Sequence, residues 1–235
     1  MPLICQRVLD LVQRGLRVGG LTRLELRVAN WRSVTRESFK LRQITALDQI
    51  LQSGQVDAFI DLGAHVGEQT FHAAQFVPVF AFEPDPVAAE VLQLAQGQIH
   101  TQHQVEIHQS AAWVSKGYMT LVGHQKGPNN TGSSSLIRSK RNLRGGPKYR
   151  VETVDIAAFI DQLPFKRVLV KCDIEGAEYR VLKSLMRSSA VSKIGAIFTE
   201  FHDQKIPWNC FKAVPLRIGA MRRGLDPSIF LAEWI

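Results

Sequence analysis

From residue 57 onward, short apolar runs alternate with amphipathic stretches. DAFIDL (57–62), VPVFAFE (77–83), VEIHQSAAW (105–113), RVLVKCDI (167–174) and KIGAIFTEF (193–201) read as strands bounded by polar or turn-forming residues. Between them, Glu68 to Phe76, Pro86 to Gln96 and Ala177 to Arg187 read as helices. Pro86 falls in a first turn, where its missing N–H does no harm. Val181, Leu182, Leu185 and Met186 make an inward face at helical spacing. GYMTLV (117–122) and YRVETV (149–154) add two strands around an irregular stretch. Upstream, Val8, Leu9, Leu11, Val12 and Leu16 predict an amphipathic helix, and a second helical segment spans Leu41 to Leu51. Strands separated by helices imply right-handed crossovers, a mainly parallel sheet, and ligands at the carboxyl ends of its strands.

Composition narrows the picture only a little. A chain of 235 residues, 45% of them hydrophobic, supports one well-cored domain. We expect a helical extension over residues 1–56 and an α/β domain over 57–235. Cys5, Cys172 and Cys210 stand far apart without a CxxC pair, which excludes a disulfide framework or zinc site and suits a reducing compartment. The first residues lack the charged-then-apolar order of a signal peptide, and no run reaches the roughly 18 apolar residues of a span. A cytoplasmic protein is expected. The net charge of +8 is concentrated: Gly123 to Arg150 holds seven Lys/Arg and no acid. This predicts a flexible basic loop that either serves an anionic partner or is solvated surface.

Candidate chemistry centres on DLGAHVGEQT, where the first strand runs into a helix. A nicotinamide-binding turn reads G-x-G-x-x-G, so that backbone can approach a pyrophosphate at a helix N-terminus. Here the pattern is D-x-G-x-x-x-G. Asp61 beside the turn suits a cationic or hydroxyl-bearing ligand, and S-adenosylmethionine carries an amino group, ribose hydroxyls and a sulfonium but no phosphate. Glu83, 22 positions after Asp61 and ending the next strand, can accept both hydroxyls of a ribose.

FIDLGAHVGEQT, FAFEPDP, HQSAAW, TGSSSLI, VETVDIAAFI, VLVKCDIEGAEYRVLKSL and TEFH occur in the order seen in FkbM-family methyltransferases. The resemblance covers roughly residues 57–202, and its most specific element is Lys-x-Asp-x-Glu-Gly-x-Glu from Lys171 to Glu178. It implies a class I methyltransferase (Rossmann-like) α/β fold with helices on both faces of the sheet. It also implies S-adenosylmethionine as cofactor and O-methylation of a hydroxyl on a sugar, glycan, polyketide or other small metabolite. His65 departs from the Asn common there, which bears on the methionine end of the site.

The cofactor-binding set is then Asp61, Gly63, Ala64, His65, Gly67, Glu83, Ser110, Ala111 and Asp173, with Ser110 and Ala111 bordering the adenine at the end of the third strand. Asp173, Glu175, Glu200 and His202 are expected to converge near the transferred methyl, with Glu200 or His202 as the base and Lys171 paired to a nearby acid. A divalent metal is the less favoured reading, because paired acids with Lys171 would account for the same charges. The bland alternative makes Glu175 a helix cap and Glu200 the partner of Lys171. The expected partner is a small-molecule or glycan acceptor, anionic in part. The rival readings are an RNA methyltransferase, disfavoured by a basic loop whose one aromatic is Tyr149, a nicotinamide-dependent oxidoreductase, and a non-catalytic protein that kept the pocket.

Overall fold

The computed structural model describes residues 41–124, 132–137, 143, 145–202, 216, 219 and 232–233. The helix expected near the N-terminus lies outside them, as does much of the basic stretch. Helix α1 (Leu41–Gln52) leads into β1 (Ala58–Leu62), then α2 (Glu68–Ala73), β2 (Val79–Phe82), α3 (Pro86–Gln96) and β3 (Val105–His108). There follow β4 (Ala111–Trp113), β5 (Gly117–Val122), β6 (Lys148–Asp155), α4 (Ile156–Gln162), β7 (Val168–Cys172), α5 (Glu178–Arg187), a 3-10 turn (Ser189–Lys193), β8 (Ile194–Thr199) and β9 (Ala232–Glu233).

Six strands form one parallel sheet in the order β3-β2-β1-β7-β8-β9. Helices cover both faces, because the strands are apolar on both sides. On one face Ile60, Leu62 and Val170 pack with Ile156, Ile160, Leu182 and Leu185. On the other, Phe59, Val79 and Leu169 pack with Leu47, Leu51, Phe71 and Leu92. Complete burial of a large side chain such as Phe59 or Phe71 stabilises the fold by about 1.5–3 kcal/mol. The four residues read as the inward face of α5 are all buried. Helix α3 starts where its chemistry demands: Asp85 accepts the N–H of Val87 at 2.9 Å, and Pro86 takes the first turn.

The third predicted strand is in fact two. Residues 105–108 pair with β2, then the chain leaves at Gln109–Ser110 and starts a second sheet, β4-β6-β5. In that sheet β5 and β6 are antiparallel. A continuous apolar reading could not reveal the change of partner, since β4 is as buried as a central strand. Ala111, Trp113, Leu121 and Val151 of this sheet pack with Ala177, the residue before α5. Helix α4, opened by Asp155 accepting from the Ala158 N–H, follows the strand read at 149–154, in residues to which the sequence pattern assigned no element.

The order reverses between β1 and β7, so the crevice of this sheet opens above their carboxyl ends.

Candidate functional site

The turn after β1 is built from unusual backbone. Gly63, His65 and Gly67 have φ of 83°, 52° and 89°. Histidine, like asparagine, is one of the few side chains enriched in that left-handed region, so His65 keeps the turn where Asn is common in the resembling proteins. A Cβ at Gly63 would lie 1.9 Å from the carbonyl oxygen of Asp173. One at Gly67 would lie 2.3 Å from Cδ1 of Leu92 and 2.5 Å from the Phe71 ring. The glycines therefore let β1 close onto β7 and α2 onto α3; the contacts that require them are with the protein itself. Ala64 is buried in the same turn.

Asp61, expected to contact a ligand, is engaged by the protein itself. It is fully buried, Oδ2 accepts the Thr70 hydroxyl at 2.7 Å, and Oδ1 accepts the Lys171 ammonium at 2.9 Å. Lys171 also donates to the Gly63 carbonyl at 2.7 Å. Burial disfavours the ammonium, yet Asp61, with Asp173 behind it, holds the Lys171 pKa above its ordinary value. Asp61 and Lys171 thus clamp the turn. The charge contrast that separated nicotinamide from sulfonium ligands is neutralised inside the protein, so it no longer discriminates between them.

Glu83 is the acid that remains near the cleft. Its Oε2 accepts the N–H of His65 and its Oε1 that of Asp85, each at 2.8 Å, joining the first turn to the second. Burial pushes its pKa up to about 8, against the pull of those two N–H groups. Burial, helped by Lys171, lowers His65 to about 4, so its ring is neutral at physiological pH. Ser110 lies in the link after β3 rather than at a strand end, and Ala111 opens β4. The Ser110 hydroxyl is buried with no hydrogen-bond partner among the described residues.

Asp173, Glu175 and Glu200 gather around the imidazole of His202. His202, 4% exposed, has Nε2 at 3.2 Å from Glu175 Oε2, 3.6 Å from Glu200 Oε1 and 3.8 Å from Asp173 Oδ1. Its Nδ1 is 2.9 Å from Glu178 Oε1. Glu200 and His202 stand beyond the end of β8, with Phe201 between them stacked on Tyr179. Burial lowers the His202 pKa, but the bonds to Glu175 and Glu178 outweigh it and raise the pKa to about 10. The ring therefore holds its proton at neutral pH and cannot act as the base in this state. Asp173 rises to about 7 through burial; Lys171 opposes the rise, and Glu200 and Glu175 add to it.

Both bland readings fail. The cap position of α5 is Ala177, with no side-chain capping bond, so Glu175 is not its cap. The partner of Lys171 is Asp61, not Glu200. Sequence reasoning missed Glu178, fully buried, which also accepts the N–H of Gly176 at 2.8 Å. The signal was its position: Glu178 shares the apolar face of α5 with Val181, Leu182 and Leu185, where a charge needs a partner. Two serines of the basic stretch also reach the site. Ser134 donates to Asp85 Oδ2 and Ser135 to the Glu175 carbonyl, both at 2.6 Å. Residues 125–131, 138–142 and 144, with most of its basic side chains, lie outside the described residues.

No helix among the described residues is long and apolar enough to cross a membrane. A search of curated proteins finds no match. Among solved structures, the crystal structure of methyltransferase FkbM from Methylobacillus flagellatus KT aligns with 61% of this chain at 19% identity and a TM-score of 0.36. The aligned part is 32% of that protein, so this chain spans about a third of its length. The family described as Methyltransferase FkbM domain matches residues 61–218, well over half of the chain. The chain belongs to the FkbM methyltransferase family.

Proposed function

We propose that this protein transfers a methyl group from S-adenosylmethionine to a hydroxyl of a small-molecule or glycan acceptor. The observation that carries the reading is Glu83. When ionised, its carboxylate offers about four lone-pair sites, and two of them hold the N–H groups of His65 and Asp85. The other two remain for a vicinal pair of ribose hydroxyls. The residues nearby suit the rest of the cofactor: the buried Ser110 hydroxyl is ready for a polar edge of adenine, and the neutral His65 ring adds no charge beside a sulfonium.

The bound cofactor supplies a methyl on sulfur; the chain must align the acceptor and remove one proton. Alignment of this kind contributes roughly 7–11 kcal/mol, and a positioned base roughly 10²–10⁴-fold. The cleft edge provides both. Asp173 follows β7 at the switch point and Glu200 follows β8, so an acceptor oxygen entering there meets carboxylates able to orient its hydroxyl and take its proton. Lys171 acts at one remove, through Asp61 and the Gly63 carbonyl.

Titration calorimetry with S-adenosylhomocysteine and with NAD tests the reading. We expect the first to bind and the second not to. Glu83→Ala should weaken S-adenosylhomocysteine by about 1–3 kcal/mol, the range for stranding buried polar partners. NAD binding the tighter of the two would overturn the reading in favour of the oxidoreductase.

A further inference from the structure

We propose that the cluster around His202 is a divalent-cation site, with Nε2 of His202 and the carboxylates of Asp173, Glu175 and Glu200 as the ligand set. Three features of the geometry carry this. Three carboxylate oxygens approach one nitrogen at 3.2, 3.6 and 3.8 Å. Donors bound to one cation at about 2.1 Å and at right angles stand roughly 3 Å apart, so each of these oxygens is within about 1 Å of that spacing from Nε2.

The far side of the ring is fixed as a metal ligand requires. Nδ1 faces Glu178 Oε1 at 2.9 Å, the carboxylate–histidine arrangement that sets the tautomer and leaves Nε2 for a metal. Binding displaces the Nε2 proton.

The third feature is independent of the hydrogen bonds within the group. Glu178 is completely buried, its Oε2 has no hydrogen-bond partner among the described residues, and it offers an oxygen within 4.8 Å of ligand atoms on Asp173 and His202. The nearby ammonium of Lys171 is bonded to Asp61 and the Gly63 carbonyl, so the pairing that made a metal unnecessary goes elsewhere. A cation on Nε2 would replace the ring proton and add positive charge across the imidazole from this buried carboxylate.

One nitrogen and several carboxylate oxygens suit a borderline-hard ion such as Mn²⁺ better than a thiophilic one. The site stands on its own residues; its role in methyl transfer rests on the reading above. There, a bound cation would lower the pKa of the acceptor hydroxyl. The hydroxyl proton passes to a free carboxylate oxygen of the set and then to water. The oxygen forms its bond to the methyl carbon as the carbon–sulfur bond breaks, and the electron pair stays on sulfur as a thioether.

The test is titration of Mn²⁺ into the full-length protein, following loss of the free-ion electron paramagnetic resonance signal, with S-adenosylhomocysteine affinity measured on the same samples. We expect one site per chain, weakened at least tenfold in Glu200→Gln and in Asp173→Asn, with circular dichroism of both variants unchanged. Glu200 is the safer variant, because its side chain is 46% exposed. No Mn²⁺ binding by the wild-type protein, or equal affinity in folded Glu200→Gln, overturns the proposal. Mn²⁺ binding without S-adenosylhomocysteine binding would keep the cation site and sink the cofactor reading; the converse would do the opposite.

Discussion

Asp61 and Lys171 face each other across the register of β1 and β7, 2.9 Å apart and both shut away from solvent. Such a pair returns little net stability, but removal of one partner strands the other charge at a cost of about 3–5 kcal/mol. Asp61→Asn should therefore destabilise the protein by that amount in chemical denaturation, and Asp61→Asn with Lys171→Met should recover part of the loss. A single variant within about 0.5 kcal/mol of wild type would show the pair to be dispensable.

Gly63 and Gly54 provide a matched comparison. Both have left-handed backbone, at φ 83° and 66°, but a Cβ at Gly54 meets nothing within 4 Å. Alanine in that conformation costs about 1–3 kcal/mol at either position. Gly63→Ala should cost clearly more, because its Cβ would meet the Asp173 carbonyl, and thermal denaturation of the two variants isolates the difference. Equal losses would mean that the turn relaxes freely.

Glu83 ties stability and ligand affinity to pH in opposite senses. In the unfolded chain it ionises near 4.5; in the folded protein it keeps its proton to about 8. Its contribution to stability is fully present below 4.5, declines as pH rises, and is gone above about 8. A ligand whose hydroxyls donate to the ionised carboxylate gains instead, so S-adenosylhomocysteine affinity should climb with pH and level off above about 8. Glu83→Gln should flatten the affinity curve; an unchanged slope in that variant assigns the titration to another group.

The basic stretch should act on the acceptor. Arg138, Lys140 and Arg141 changed together to Ala should raise acceptor KM a few-fold at low salt, given about 0.2–1 kcal/mol per exposed charge pair. The effect should fade as salt screens it. An unchanged KM removes the anionic part of the acceptor, and loss of strong RNA retention in the same variant would favour the nucleic-acid rival.

Five strands of the sheet were legible because each is a short apolar block with a turn signal behind it, and periodicity reports that directly; β9, the two residues Ala232–Glu233, carries no such signal. Ser110 and Ala111 were harder, because pairing partners are chosen by contacts distant in sequence. Nothing local announces that residues 105–108 and 111–113 belong to different sheets. The acids at strand ends were readable as a group, but their roles were not. Asp61 and Glu83 look alike in sequence, yet one is locked between Thr70 and Lys171 and the other holds only backbone N–H groups. His202 was read, with Glu200, as a candidate base from its place near a strand end. Its neighbours reverse that chemistry, and three of the four lie in a different segment, 24 to 29 residues earlier.

Ser134 and Ser135 are adjacent in the chain but tied to different strands' ends, Asp85 after β2 and Glu175 after β7. β1 and its glycine turn lie between those two ends. The pair of hydroxyls works as a hasp over the crevice: spreading the two strand ends must stretch one tether or the other. One short segment, residues 134 and 135, therefore pins both strand ends that flank the glycine turn, and loss of either serine hydroxyl leaves the other end still held.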